Sequence, residues 1–170
     1  MIKIYITGGT FDKEYNEIDG KLYFKNTHMY DLLSLGRCNI NVDIETLMMI
    51  DSLKMTATDR NYIVDKCIQQ PLQKIIITHG TDTMVKTAQL LEKNIKNKTI
   101  ILTGAMIPFT FGSSDGLFNM GSAIAFAQSL ENGVYISMNG HIFNPDNVYK
   151  NKNIGIFEPL KDKDASNQTI

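Results

Sequence analysis

The sequence has little net charge and only two cysteines. Each of these features excludes some classes of function. Its 17 Lys and Arg residues and 18 Asp and Glu residues leave a formal charge of −1. No basic field is therefore available to attract nucleic acid or an anionic membrane. Cys38 and Cys67 stand alone, without the spacing of a metal site. We expect two buried free thiols in a reduced protein.

The sequence also lacks any apolar run long enough to cross a bilayer. Its N-terminus, MIKIYIT, enters a strand at once and shows no signal-peptide pattern. A content of 43% apolar and 21% charged residues over 170 residues is typical of one soluble globular domain. We expect a cytoplasmic protein with a single domain at 1–160 and a polar tail at 161–170 that frays.

Short apolar segments alternate with helical patterns along the chain. This alternation predicts an α/β fold with a doubly wound, mostly parallel sheet, helices on both faces and right-handed crossovers. Asp19-Gly20 predicts a tight type I′ β-hairpin near the N-terminus. Strands are expected at 2–6, 43–50, 75–77, 99–103 and 134–138, and helices at 26–35, from 56 to just before Pro71, from 84 to 91 and at 117–130.

Two of the expected helices have recognisable starts. Thr56 and Asp59 resemble a capping box, in which each residue bonds the backbone of the other. Asp115 precedes a very apolar helix and is expected to act as its N-cap.

The unusual polar residues follow the strands rather than precede them. Residues that follow parallel strands arrive at one edge of the sheet, where open α/β proteins bind ligands. Loops at the opposite edge contain only turn formers and solvated charges. The candidate active site therefore comprises Thr10, Ser52, Thr81 with Asp82, Gly104 with Ala105, and Lys150, which follows the last strand after a longer loop.

These residues suggest acyl-transfer chemistry, although each has a simpler interpretation. Thr10 could be a nucleophile, or it could merely cap a turn after Gly8-Gly9. Thr81 and Asp82 could form a proton relay with a distant lysine. Asp82 could instead, or in addition, cap the following helix. Backbone N–H groups in the two Gly-Thr turns could form an oxyanion hole.

Other kinds of site are poorly supported. His79 has no second histidine or cysteine placed with it, so we interpret it as a hydrogen-bonded structural residue. His28 and His141 have no evident partners, and no metal is expected. The sequence contains no GxxxxGK[ST] phosphate loop. A receiver-type domain would gather acidic residues after its first strand, where this chain has TGGT.

Three motifs together resemble the L-asparaginase family of bacterial type, the threonine amidohydrolases. They are TGGT (7–10), HGTDT (79–83) and TGAM with DGLFN (103–106 and 115–119), and the similarity extends from Ile2 to about Phe157. The resemblance implies a Rossmann-like fold and hydrolysis of L-asparagine to L-aspartate and ammonia through an acyl-enzyme, without a cofactor. Most members carry a second, C-terminal domain, so this chain looks like a short, single-domain form.

The resemblance also implies roles for individual residues. Thr10 matches the nucleophile, and a tyrosine on the loop after it assists. Tyr15 is preferred over Tyr23 because it lies directly on that loop. Thr81, Asp82 and Lys150 match the second catalytic set.

The substrate-binding residues follow from the same resemblance. Ser52 would bind the α-carboxylate and Asp82 the α-ammonium group. Backbone groups of Gly9 and Thr81 would donate hydrogen bonds, and the Ala105 carbonyl would face the amide.

Two positions depart from the family pattern. Leu53 replaces a polar residue and Ile107 an arginine. With the second domain missing, we expect weaker substrate binding, or a site completed by another copy in a dimer or tetramer. Two alternatives stay open: an amidase acting on glutamine or another amide, as in an amidotransferase, and a silent amino-acid sensor.

Overall fold

The computed structural model describes residues 1–160, so the expected polar tail at 161–170 lies outside the described residues. Strands and helices alternate along most of the chain. The strands are β1 (Ile2–Gly8), β2 (Lys13–Asn16), β3 (Lys21–Phe24), β4 (Val42–Ile50), β5 (Lys74–Thr78), β6 (Thr99–Thr103), β7 (Gly133–Met138), β8 (His141–Phe143), β9 (Tyr149–Asn151) and β10 (Ile156–Glu158); the helices are α1 (Met29–Leu35), α2 (Ala57–Gln69), α3 (Met84–Asn94) and α4 (Gly116–Ser129).

Six strands form one sheet in the order β4-β1-β5-β6-β7-β8. All neighbours are parallel except β7 and β8. The predicted doubly wound, mostly parallel sheet is thus confirmed. From β1 the chain moves outward to β4 and then crosses back to β5 on the other side of β1. This reversal of strand order makes the gap between β1 and β5 the switch point, where such sheets bind ligands.

Apolar residues cover both faces of the sheet, as expected for buried parallel strands. On one face Tyr5, Ile75 and Ile77 pack in a core with residues of α2 and α3. On the other face Ile4 and Ile76 pack in a core with residues of α1 and α4. Alternate residues of each strand therefore point to opposite helix layers, which confirms helices on both faces.

The two cysteines are free, but they differ in burial. Cys67 is fully buried in the first core, and that burial raises the pKa of its thiol to about 12. Cys38 is only half-buried. The expectation of two buried thiols is therefore correct for Cys67 and wrong for Cys38.

The capping-box prediction is confirmed, whereas the prediction for Asp115 is wrong in its bonding. Thr56 and Asp59 each bond the backbone of the other. Asp115 occupies the N-cap position of α4, but its side chain makes no hydrogen bond to that helix's backbone. Its carboxylate instead accepts hydrogen bonds from the Met106 and Ile107 backbone N–H groups.

The N-terminal hairpin forms, but not with the predicted two-residue turn. Asn16 pairs with Lys21, which leaves the four residues 17–20 in the turn. Asn16 Oδ1 accepts a hydrogen bond from the Ile18 N–H, and this contact favours the wider turn. Helix α1 begins at Met29, later than expected, and the three-residue strands β8 to β10 were too short to show a periodic signal.

Gly8 ends β1 in a conformation that only glycine adopts readily. Its φ is +90°. A Cβ atom added there would lie 2.6 Å from Ile50 N and 2.7 Å from Ile50 O. Both atoms belong to the backbone of the neighbouring strand and cannot move aside, so Gly8 brings the ends of β1 and β4 together.

We expect Gly8→Ala to lower the free energy of unfolding by about 3 kcal/mol or more, because backbone strain and steric overlap act together. Gly112→Ala is the matched control, since Gly112 has φ +76° but nothing within 4 Å of the added Cβ. Strain alone should cost the control about 1 kcal/mol. Urea denaturation measures both, and equal losses would contradict the close-approach argument.

Candidate active site

The turns that follow β1 and β5 touch each other at the switch point. A Cβ atom built on Gly9 would lie 2.5 Å from Gly80 N and 2.6 Å from Gly80 Cα. The two turns therefore pack backbone against backbone, with no room for a side chain between them. Thr10, the residue after Gly9, opens a short 3₁₀ turn and is half-buried at this contact.

The turns after β4 and β6 pack against the same backbone. A Cβ atom on Gly80 would lie 2.6 Å from Ser52 Oγ, and one on Gly104 would overlap His79 O. Ser52 and Ala105, which follows Gly104, are both buried. Four loops thus converge around His79-Gly80, as the placement of polar residues after the strands predicted.

Lys150 reaches this cluster from a distant part of the chain. Its Nζ donates hydrogen bonds to Thr81 Oγ1 at 2.7 Å and Asp82 Oδ1 at 2.8 Å. The alternative that Asp82 caps α3 is not supported, because Thr83 occupies the N-cap position.

The residues around Lys150 explain how it is held in place. Lys150 lies on the β9–β10 hairpin, a short antiparallel pair rather than the expected loop. Val148 and Phe157 anchor this hairpin in the first core. Phe157 N–H also donates to Asn139 Oδ1 at the end of β7.

The two candidate tyrosines lie on the β2–β3 hairpin, beside the converging loops. Tyr15 is 53% exposed. Its hydroxyl lies over the turn of its own hairpin, 3.9 Å from where a Cβ atom built on Gly20 would be. Tyr23 OH donates to Glu14 Oε2 at 2.9 Å. Among residues 1–160, no hydrogen bond joins either tyrosine to Thr10.

His79 is a buried structural residue, in agreement with its interpretation from the sequence. Its Nδ1 lies 2.8 Å from Gly80 O, and its Nε2 lies 2.8 Å from Thr87 Oγ1. A carbonyl oxygen only accepts, so Nδ1 carries the proton and Nε2 accepts from the hydroxyl. Burial lowers the pKa of His79 to about 4 and keeps the ring neutral at pH 7.

Arg60 lies behind the site and was not predicted. Its guanidinium donates to Thr83 Oγ1 at 2.8 Å and to Thr87 Oγ1 at 3.2 Å. Thr83 Oγ1 in turn donates to Ser52 O at 2.8 Å. One guanidinium therefore braces the Ser52 turn and the His79 ring. Thr83, the second threonine of the HGTDT motif, was the available signal for this network, whereas Arg60 itself had none.

Asp115 and Asn119 stabilise the loop that follows β6. Asn119 Nδ2 donates to Gly104 O and to Asp115 Oδ2, both at 2.9 Å. Asn119 Oδ1 accepts from the Asn139 N–H at 3.0 Å. The spacing of four residues in DGLFN, one helical turn, could have indicated this pair.

A groove of about 690 Å³ lies elsewhere, between α1 and α4. Apolar residues line most of it, including Leu33, Leu117 and Ile124, and none of the predicted site residues does. The convergent polar groups at the switch point make that edge the better candidate.

Residues 1–160 offer neither a metal-binding cluster nor a membrane span. No group of three or more His, Cys, Asp and Glu side chains in this range could hold a metal ion. No helix in the same range is long and apolar enough to cross a membrane.

Comparison with known proteins identifies a family. The family described as "Asparaginase, N-terminal" matches residues 1–157. A glutaminase-asparaginase from Acinetobacter glutaminasificans is 36% identical over 125 residues, which are 66% of this chain and 38% of that protein.

Two solved structures share the fold over most of the chain. The thermostable L-asparaginase from Thermococcus kodakarensis has a TM-score of 0.82 at 26% identity, over 93% of this chain and 50% of that one. The "Probable Cytoplasmic L-asparaginase" from Campylobacter jejuni has a TM-score of 0.80 at 28% identity, over 93% of this chain and 52% of that one. The chain thus spans about half the length of these proteins, or less.

We expect the neutral His79 to make stability depend on pH. Its pKa is about 4 in the folded chain, whereas a histidine in water has a pKa of 6.5. The unfolded chain therefore takes up the proton first as pH falls. The neutral His79 therefore contributes about 3 kcal/mol to the free energy of unfolding above pH 6.5. This contribution is lost as the pH falls from 6.5 to 4.

Urea denaturation of wild type and His79→Gln from pH 7 to 4 measures this loss as a shrinking difference between the two proteins. His141→Gln is the matched control, because His141 is exposed rather than buried. A difference between wild type and His79→Gln that stays constant with pH would rule out a neutral His79.

Proposed function

The chain belongs to the asparaginase family, and from that premise we propose that it hydrolyses L-asparagine to L-aspartate and ammonia. One observation carries the proposal: Lys150 bonds both Thr81 and Asp82 beside the turn that carries Thr10. Two hydroxyls, a carboxylate and an amine are the groups that an acyl-threonine mechanism requires.

The proposed reaction begins at Thr10. Its Oγ attacks the side-chain amide carbon of asparagine and loses its proton, and the C–N bond then breaks as ammonia leaves with a proton. Water attacks the resulting ester, releases aspartate and restores the Thr10 hydroxyl. Thr81, Asp82 and Lys150 form the proposed proton relay, supported by their hydrogen bonds of 2.7 and 2.8 Å.

The proposed binding groups surround this reacting centre. Ser52 would hold the α-carboxylate, and Asp82, whose side chain is 31% exposed, would receive the α-ammonium group. The Thr81 backbone N–H would stabilise the oxyanion, and the Ala105 carbonyl would accept from the amide. The Gly9 N–H, the other donor expected from the sequence, already donates to Ile50 O at 3.1 Å. The close contacts of Gly80 with Gly9 and Ser52 support this assignment, because they keep the loops within reach of one small substrate.

Tyr15 is the proposed partner of Thr10 on the β2–β3 hairpin. Its exposed side chain would need the hairpin to close over substrate, a movement common in such sites. Tyr23 remains the alternative, although its hydroxyl already donates to Glu14.

Glutamine is the second candidate substrate, because the relative from Acinetobacter is named a glutaminase-asparaginase. The two substrates differ by one methylene, worth about 1–3 kcal/mol to a pocket. Another amide, as in an amidotransferase, and a silent amino-acid sensor stay open. A cytoplasmic location also remains a prediction, because one similar protein is named cytoplasmic and another periplasmic. The absence of a cofactor is likewise a prediction.

We expect ammonia release from asparagine to exceed that from glutamine and from peptide amides. Thr10→Ala and Thr81→Ala should each lower kcat by about a thousandfold, because each removes a group acting on the reacting atoms. Thr58→Ala, an exposed helix position, is the matched control and should retain full activity.

Three other results would change the assignment. Activity in Thr10→Ala but not Thr81→Ala would reverse the order of the two threonines. Faster glutamine hydrolysis would identify a glutaminase. Binding of asparagine without ammonia release from any amide would identify a sensor.

We expect a homo-oligomer, a dimer or tetramer, or else weak substrate binding, because Leu53 next to Ser52 offers no polar contact. Leu53→Gln should lower KM for asparagine by about tenfold if it adds one hydrogen bond to a charged α-group. Ile154→Gln, at a similarly exposed position, is the control. A low micromolar KM for a wild-type monomer, measured by titration and sedimentation, would contradict this expectation.

A further inference from the structure

A buried carboxylate joins the two ends of the β2–β3 hairpin. Asp12 precedes β2 and is fully buried. Its Oδ1 accepts a hydrogen bond from Thr27 Oγ1 at 2.9 Å and another from the His28 N–H at 2.9 Å. Thr27 and His28 come shortly after β3, so both ends of the hairpin meet at one oxygen atom.

The same residue belongs to the turn that carries Thr10. Residues Thr10–Asp12 form the 3₁₀ turn, and the Asp12 N–H donates to Gly9 O at 3.3 Å. Any shift of the Asp12 backbone therefore moves Thr10 and the first residue of β2 together. The carboxylate lies between the candidate nucleophile on one side and the hairpin with Tyr15 on the other.

The burial of Asp12 is unfavourable in itself. Desolvation raises the pKa of its carboxyl, while the hydrogen bonds from His28 and Thr27 oppose that rise. Its second oxygen, Oδ2, is buried without a hydrogen-bond partner among the described residues. A buried carboxyl lowers the free energy of unfolding unless the hydrogen bonds that it accepts offset the cost of removing it from water.

The hairpin has three further side-chain contacts near its base, and all are more exposed than the Asp12 carboxylate. His28 Nε2 lies 3.3 Å from Glu14 Oε1, and these side chains are 15% and 23% exposed. Lys13 Nζ lies 2.6 Å from Asp51 Oδ2 in an ion pair whose side chains are 17% and 29% exposed. Thr110 Oγ1 donates to Lys13 O at 3.3 Å. Solvent weakens such contacts, so the bonds of the fully buried Asp12 are the best shielded of the side-chain contacts at the base of the hairpin.

We propose that Asp12 is a positioning residue that fixes the Thr10 turn and the β2–β3 hairpin relative to each other. It acts through Thr10 and Tyr15 and touches no substrate. The part of this inference that concerns catalysis rests on the proposed asparagine hydrolysis, whereas the part that concerns the hairpin does not.

The first test measures the hairpin without using activity. Amide hydrogen exchange across residues 13–24 should be about tenfold faster in Asp12→Ala, because two hydrogen bonds to a buried charge are lost. Exchange in β5 and β6 should not change. Asp12→Asn should exchange like wild type, because an amide oxygen can accept from the same two donors.

The second test measures kcat and KM for asparagine. Asp12→Ala should lower kcat about tenfold and leave KM within about twofold, because Ser52 and Asp82 lie on other loops. Asp12→Asn should restore kcat. Asp19→Ala is the matched control: Asp19 bonds Asn16 in the hairpin turn, away from the base, and its loss should leave both tests unchanged.

Thr27→Val tests the inference if Asp12→Ala does not fold, because it removes one donor and keeps the carboxyl. Like Asp12→Ala, it should make amide exchange in residues 13–24 faster and kcat lower, each by about threefold. Wild-type exchange in residues 13–24 of a folded Asp12→Ala or Thr27→Val protein would overturn the proposal. So would an unchanged kcat, or equal effects of Asp12→Ala and Asp19→Ala.

An inactive wild type has a separate meaning. Ammonia release from none of the amides would refute the proposed function, and the exchange experiment would still decide whether Asp12 holds the hairpin.

Discussion

The backbone contact between the Gly9 and Gly80 turns is the constraint on which the site depends. It brings the ends of β1 and β5 together at the reversal of strand order, where no side chain intervenes. Ser52 then packs on Gly80, and Gly104 packs on the neighbouring carbonyl. A larger residue at Gly9 or Gly80 would separate Thr10 from Thr81 and Asp82, so the glycines of both motifs serve geometry rather than flexibility.

The candidate site differs between its buried side, called the rear here, and its solvent-exposed side, called the front. A hydrogen-bond network holds the rear, whereas the front is less constrained. At the rear, Arg60 connects Thr83 and Thr87, and through them the Ser52 turn and the neutral ring of His79. These groups are largely removed from water, where hydrogen bonds are stronger and unpaired groups are costly. At the front, the β2–β3 hairpin is exposed along most of its length and is held chiefly at its base. This difference suits a site whose binding loops stay fixed while one segment closes over the substrate.

Several predictions from the sequence hold because they depend on local signals. The alternation of short apolar segments with helical patterns predicted a parallel sheet with helices on both faces, and the reciprocal bonds of Thr56 and Asp59 are confirmed. Other predictions failed where a distant group competed. The Asp115 carboxylate accepts from the backbone of the loop before it instead of from the first N–H groups of its own helix, and the hairpin turn widens around Asn16. The network around Arg60 had no local pattern to reveal it.

The sequence alone determined the fold class, the edge of the sheet where the candidate site lies and the motifs that carry the family resemblance. Those features follow from short-range periodicity and from the rule that parallel strands end at one edge. The family resemblance grouped Lys150 with Thr81 and Asp82, but only the tertiary structure showed that Lys150 bonds both of them. It also showed that Asp12 bonds Thr27 and His28 beyond the hairpin. Lys150 and Thr81 lie 69 positions apart. Contacts between such distant residues depend on the packing of the whole chain, which no single segment encodes.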